Sequence, residues 1–152
     1  MRDFVQFLIG AAVVGAIVGG IFRVYANKRA LARTEARNGI DEVRGLLDKV
    51  QELARNYYIL DGVDQNCPVL GLEIRNALQK IGTRVTILHQ RFRSGDRSIL
   101  SYAFRFKQAV SLDLDSRLRK CCTSDDNRFL DIQAKAEALL LQLETQFDRE
   151  YR

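Results

Sequence analysis

"IDEVRGLLDKVQELARNYYIL", residues 40–60, places Ile40, Val43, Leu47, Val50, Ala54 and Tyr57 at steps of three and four, with Asp41, Glu42, Arg44, Asp48, Lys49 and Glu52 between them. That spacing lines the apolar side chains along one stripe of a helix and leaves the charges on the other sides. A helix with one apolar stripe has to bury it against other elements. The partners must therefore come from the sequence on either side. Immediately downstream, "DGVDQNCPVLG" at residues 61–71 gathers Gly62, Asn66 and Pro68, the strongest breaker cluster in the chain, and predicts that the first helix stops near Leu60.

Three more stretches repeat the pattern. Ile74, Leu78, Ile81, Val85, Leu88 and Phe92 form a second stripe, ended by "RSGDRS" at residues 93–98. Ile99, Ala103, Phe106, Val110, Leu114, Leu118 and Cys121 form a third, followed by "TSDDN", where Ser124 or Asp125 can accept hydrogen bonds from the free amides that open a helix. Phe129, Ile132, Ala136, Leu139, Leu143 and Phe147 form the fourth. "TRVTIL" at residues 83–88 has the β-branched content of a strand but stays in phase with the helical stripe around it. Short connections between amphipathic helices predict an antiparallel up-down four-helix bundle with coiled-coil-like packing over residues 40–152.

Upstream the character changes. Residues 4–22 are nineteen consecutive positions without a formal charge, enough for a helix of about 28 Å against a hydrocarbon layer about 30 Å thick. The run is too long for the apolar core of a cleaved signal peptide. With Gly15, Gly19 and Gly20 inside it, it also makes a poor core helix of a water-soluble protein. Residues 1–26 thus read as a single-pass transmembrane anchor and residues 27–39 as a basic juxtamembrane segment. The fold class is all-α: one N-terminal transmembrane helix followed by the bundle. Arg2 is offset by Asp3 on one side of the run, whereas Arg23, Lys28, Arg29, Arg33 and Arg37 face only Glu35 on the other. That asymmetry predicts an outside N-terminus and a cytoplasmic bundle, as in a bacterial inner membrane.

The net charge of +5 divides unevenly. Residues 1–39 carry six Lys and Arg against two acids, and residues 40–152 carry eighteen against seventeen. Most of the excess therefore belongs to the membrane flank, where it serves topology and contact with lipid headgroups, and nucleic acid is not an expected partner. A second basic stretch contains Lys80, Arg84, Arg91, Arg93, Arg97, Arg105 and Lys107 against Asp96 alone, with Tyr102 and Phe104 as candidate surface aromatics. Arg91, Arg93, Arg97, Tyr102, Phe104, Arg105 and Lys107 form a candidate contact patch for lipid or a protein partner. Within the anchor, Ala11, Gly15 and Gly19 recur every four residues and form a candidate dimer face, so a homo-oligomer is a second expectation.

Catalytic signatures are missing from the sequence. Cys67, Cys121 and Cys122 make an odd count with no metal-ligand spacing, as expected of reduced thiols, and Cys121 belongs to the third core stripe. His89 is the single histidine. Its context "LHQRFRSG" lacks the Lys-Gly that follows the histidine of phosphotransfer domains, and its flanks Val85 and Phe92 mark a residue packed at the edge of the core. No Glu-x-x-His pair, phosphate loop or nucleophile triad is present. The expectation is a non-enzymatic, cofactor-free interaction or scaffold protein of the membrane. A membrane-perturbing effector of toxin or phage-defence type is the alternative, and a histidine phosphotransfer bundle ranks last.

Overall fold

The computed structural model describes the backbone of residues 2–60, 64–92, 96–112, 114, 121–123 and 126–151, and their side chains from residue 23 onward. Among the described residues there are four helices and no strand: α1 (Arg2–Ile59), α2 (Cys67–Arg91), α3 (Ser98–Ser111) and α4 (Asn127–Tyr151). The chain divides into two compact units, Met1–Glu35 and Ala36–Arg152. The first is the N-terminal part of α1, and among its described side chains most are exposed. The second contains the rest of α1 and the other three helices.

Contacts at both ends of the second unit fix the helix directions. Arg84 on α2 bonds Glu42 on α1 at 2.9 Å, and Gly71 lies beside Tyr57, so α1 and α2 run antiparallel. Arg44 bonds Glu144 at 2.5 Å while the Arg55 guanidinium sits 5.8 Å over the Phe129 ring, so α4 also runs against α1. Ser98 meets Gln142 and Asp96 meets Gln146, which sets α3 against α4. The result is an up-down helical bundle. Among the described residues, its proximal end holds 36–40, 88–92, 96–98 and 142–151, and its distal end holds 54–60, 64–72, 106–112, 114, 121–123 and 126–132.

The stripes predicted for α1 and α2 are buried without exception, as are Ile132, Ala136, Leu139, Leu143 and Phe147 of α4. Each fully buried aliphatic side chain contributes about 1.5–3 kcal/mol relative to exposure, which explains why spacing alone locates these helices. Gly39 marks a close approach: a Cβ there would lie 2.9 Å from Leu88 Cδ2. "TRVTIL" is helical throughout, within α2.

Two boundaries depart from expectation, at the start of α2 and the end of α3. α2 begins at Cys67, inside the breaker cluster. The Asn66 amide donates to the Asp64 carboxylate at 2.8 Å, and Pro68 takes a first-turn position that needs no donor. α4 is opened by Asp126, whose carboxylate accepts the Arg128 amide at 2.9 Å; Ser124 and Asp125, the expected caps, lie outside the described residues.

The largest departure is α3, which ends at Ser111, well short of Cys121. Leu118 lies outside the described residues, and Cys121 is exposed in a non-helical stretch while Cys122 is the one packed against the core. The cause is a pair of tyrosines from α1. Tyr58 Oη shares its proton between the Val110 and Leu112 carbonyls, each 2.6 Å away, and Tyr57 Oη donates to the Leu114 carbonyl. These carbonyls are thereby satisfied without further helix turns. The Cys122 amide then donates to the Tyr58 carbonyl at 2.8 Å, returning the chain to α1.

Candidate functional site

The predicted contact patch is split by the helical geometry. Arg91 and Arg97 are exposed at the proximal end, and Arg93 lies outside the described residues. Tyr102, expected at the surface, is half-buried against the core with the Arg105 guanidinium 5.7 Å over its ring. Its position between Ile99 and Phe106 at helical spacing gives it to the inward side. Phe104 is 65% exposed and Lys107 is exposed, on a different side of α3 from Arg105.

Three residues of the predicted patch fall into one exposed row on α3 with a fourth that the patch did not include: Arg97, Leu100, Phe104 and Lys107, at steps of three, four and three. Leu100 completes it, and 36% of its surface is open. The signal was available in the sequence, since these steps are those of an apolar stripe; it was hidden by the stronger stripe through Ile99, Phe106 and Val110 on the same helix. α3 contains no acidic residue. Among the described residues, Arg97 and Lys107 make no ion pair, so the row presents two cations around two apolar side chains.

The membrane-flank cations also divide. Arg23, Lys28, Arg29 and Arg33 are exposed in the first unit, in company with exposed Val24, Tyr25 and Leu31. Arg37 belongs to the second unit, where it lies 3.8 Å from Asp41 and 5.8 Å over the Phe147 ring. It helps close the proximal end of the bundle. The anchor face of Ala11, Gly15 and Gly19 falls among residues whose side chains are not described. Among the residues described with their side chains no helix is long and apolar enough to cross a membrane, and the run at residues 4–22, described in its backbone alone, is outside that set.

A polar network that sequence reading missed ties the proximal end together. Asp96 accepts the Ser98 amide at 2.9 Å and the Gln146 side-chain amide at 2.6 Å, and Gln142 donates to Ser98 Oγ at 2.5 Å. Gln146 is only 1% exposed. The backbone and hydroxyl hydrogen bonds from Ser98 hold the Asp96 carboxyl below its ordinary value of 3.8; partial burial opposes them, and Arg149 and Gln146 add to the lowering. With every partner on the protein itself, this network reads as a structural staple for the α2–α3 turn.

The remaining chemical groups are dispersed. His89 is half-buried at the edge of the core, and its Nδ1 has no hydrogen-bond partner. Cys67 is buried, Cys121 exposed and Cys122 half-buried, all as free thiols. Among the described residues no three His, Cys, Asp or Glu side chains converge to hold a metal ion. Two grooves flank α1. One of about 580 Å³ lies against α4 and is lined by Gln51, Arg55 and Leu130 among others; one of about 650 Å³ lies against α2, beside Lys80 and Arg84. Neither gathers a set of groups suited to bond-making chemistry. No protein-family model, curated protein or solved structure matches the chain.

Proposed function

We propose that the chain is a membrane-tethered, non-enzymatic interaction protein: residues 4–22 hold it in a bilayer, and the helical unit Ala36–Arg152 docks protein partners on the cytoplasmic side. The observation that carries this reading is the succession from an uncharged run of nineteen residues into an exposed helical stretch bearing Arg23, Val24, Tyr25, Lys28, Arg29 and Leu31. Aromatic and basic side chains mixed in this way are the composition of a membrane-water boundary, with the long cations reaching headgroups from apolar stems. The bundle supports the second half of the proposal through what it leaves outside. Its core is closed and apolar, and several large apolar side chains remain exposed on its helices.

The test is extraction. Membranes from cells producing the full chain, washed with high salt and then at alkaline pH, should retain it, and proteases added to intact cells should leave its C-terminus uncut. Release of the intact chain by the alkaline wash would remove the tether from the proposal. A shortened species starting near Asn27 would show that the run is a cleaved signal.

A further inference from the structure

The α3 row has a counterpart of opposite charge on α4. There Leu130, Ala134, Glu137, Leu141 and Asp148 are all exposed and share the side of the helix turned away from the core. Leu130, in the first turn, is 63% exposed and Leu141, in the second half, 67%, on a helix that already has a full inward stripe. Glu137 contacts only the Gln133 amide, at 2.9 Å, and meets no cation. Thus α3 offers Arg97, Leu100, Phe104 and Lys107, and α4 offers Leu141 one turn from Glu137.

The two rows cannot meet within one chain. On α3, Ser98 hydrogen-bonds α4, and the row lies away from it, at roughly 100° of helical rotation per residue. On α4 the row lies toward Glu144, which bonds Arg44 of α1. The rows thus occupy different sides of the bundle, and one molecule can use both at once.

Their dimensions agree. From Phe104 to Lys107 is about 4.5 Å and from Leu141 to Glu137 about 6 Å, at 1.5 Å rise per residue. Ser98 bonding Gln142 and Asp96 bonding Gln146 put Leu100 level with Leu141 along the bundle axis. A second copy displaced sideways, with a shift of about 4.5 Å along that axis at 1.5 Å per residue, brings its Leu141 between Leu100 and Phe104 and its Glu137 level with Lys107, with α3 and α4 antiparallel.

From this complementarity of charge and spacing we infer that the occupant of the α3 row is the α4 row of a second copy of this chain. The contact is head-to-tail, so each added copy leaves one row open for the next until a ring closes. A contact of so few side chains is smaller than a standard interface of about 1,600 Å², so association is weak in dilute solution and strengthens when copies are concentrated, as a shared membrane would do.

The experiment is sedimentation of the full chain in mild detergent over a range of concentrations, with Phe104→Asp and Leu141→Lys as variants. Both positions are exposed, and equal helical circular dichroism confirms that the variants fold. The parent should form a concentration-dependent ladder of species. Each variant alone should associate about tenfold or more weakly, the loss expected for a central apolar contact. The mixture is decisive: Phe104→Asp retains a working α4 row and Leu141→Lys a working α3 row, so together they should form pairs and nothing larger. Lys107→Glu and Glu137→Lys should each weaken the ladder, and the double exchange should restore it. A monomeric parent, single variants that assemble like the parent, or a mixture that stays monomeric would each overturn the inference. So would Phe104→Asp reducing binding to phosphatidylserine vesicles while leaving the ladder intact, because the row would then be a lipid contact.

Discussion

The two ends of α3 are finished by opposite means. At its start, Asp96 and Ser98 meet Gln142 and Gln146 of α4 in a network built around one carboxylate. At its end, the aromatic rings of Tyr57 and Tyr58 are buried in the core, and their neutral hydroxyls take the last carbonyls of the helix and of the turn beyond it. The first end depends on charge and hydrogen-bond geometry, and it therefore responds to pH. The second combines apolar burial with hydrogen bonds from neutral hydroxyls to backbone carbonyls. The distal end should thus be the costlier to disturb, and the proximal end the only one of the two that acid loosens.

The largest expected effect is at Tyr58. Its ring is wholly buried, packs edge-on against Tyr57 at 5.1 Å and lies 4.4 Å beneath the Arg128 guanidinium. Tyr58→Ala leaves a cavity and two carbonyls without their donor, a loss of about 3–5 kcal/mol of unfolding free energy in urea titration. A loss below about 1 kcal/mol would mean that α3 ends at Ser111 for some other reason.

At the opposite end the distinguishing measurement is a pH series. The Asp96 carboxyl is held below 3.8 in the folded protein, chiefly by the Ser98 amide and hydroxyl. A depressed folded value means that folding favours the carboxylate. Its contribution is complete above about 3.8, the unfolded value, and fades as pH falls through the lower folded one. Asp96→Asn should accordingly be less stable than the parent at pH 7, with the gap narrowing below about pH 4. A gap that stays constant down to pH 2 would show that Asp96 acts through shape alone. Tyr57→Phe and Tyr58→Phe, measured over the same range, should show no such convergence.

Tyr57→Phe isolates one hydroxyl. The ring stays, and the buried Leu114 carbonyl loses its donor, for a cost of about 1–2 kcal/mol. If instead the variant matches the parent, water reaches that carbonyl and the distal end is wetter than its burial implies.

How much of this was legible in the sequence follows from the same contrast. Inward positions on α1, α2 and α4 emerge from three-and-four spacing because burial of aliphatic side chains is local in its signature: every buried residue advertises its neighbour one turn away. Tyr58 escaped because it sits one position past Tyr57, off the stripe, where the core widens to receive the end of α3. The end of α3 at Ser111 escaped for a related reason: Leu114 and Leu118 continue the apolar period, and the hydroxyls that stop the helix come from residues more than fifty positions earlier. Asp96 and Gln146 were equally opaque, since a polar residue in a turn and another in a helix have no periodicity to reveal that they meet. The α3 row was readable in principle, but Leu100 and Phe104 acquire meaning only once the stronger stripe on the same helix is known to be buried.

The smallest expected effect compares the two ends through glycine. Gly71 lies at the distal end of α2, where an added Cβ would stand 3.5 Å from Tyr57 Cε2, an ordinary contact. Gly39 lies at the proximal end of α1, where the same atom would stand 2.9 Å from Leu88 Cδ2, and Leu88 is itself buried. Both are helical, so alanine removes at each about 0.8–1 kcal/mol of helix-propensity penalty. At Gly71 nothing opposes that gain, and Gly71→Ala should raise the unfolding free energy by about 0.5–1 kcal/mol. At Gly39 the leucine has to leave its position in a filled core, a displacement that costs about 1–3 kcal/mol when the surroundings do not yield. Gly39→Ala should therefore be neutral or destabilising. Equal stabilisation by both substitutions would show that Leu88 turns aside freely, and that the proximal end is held by the Asp96 network without close packing between α1 and α2.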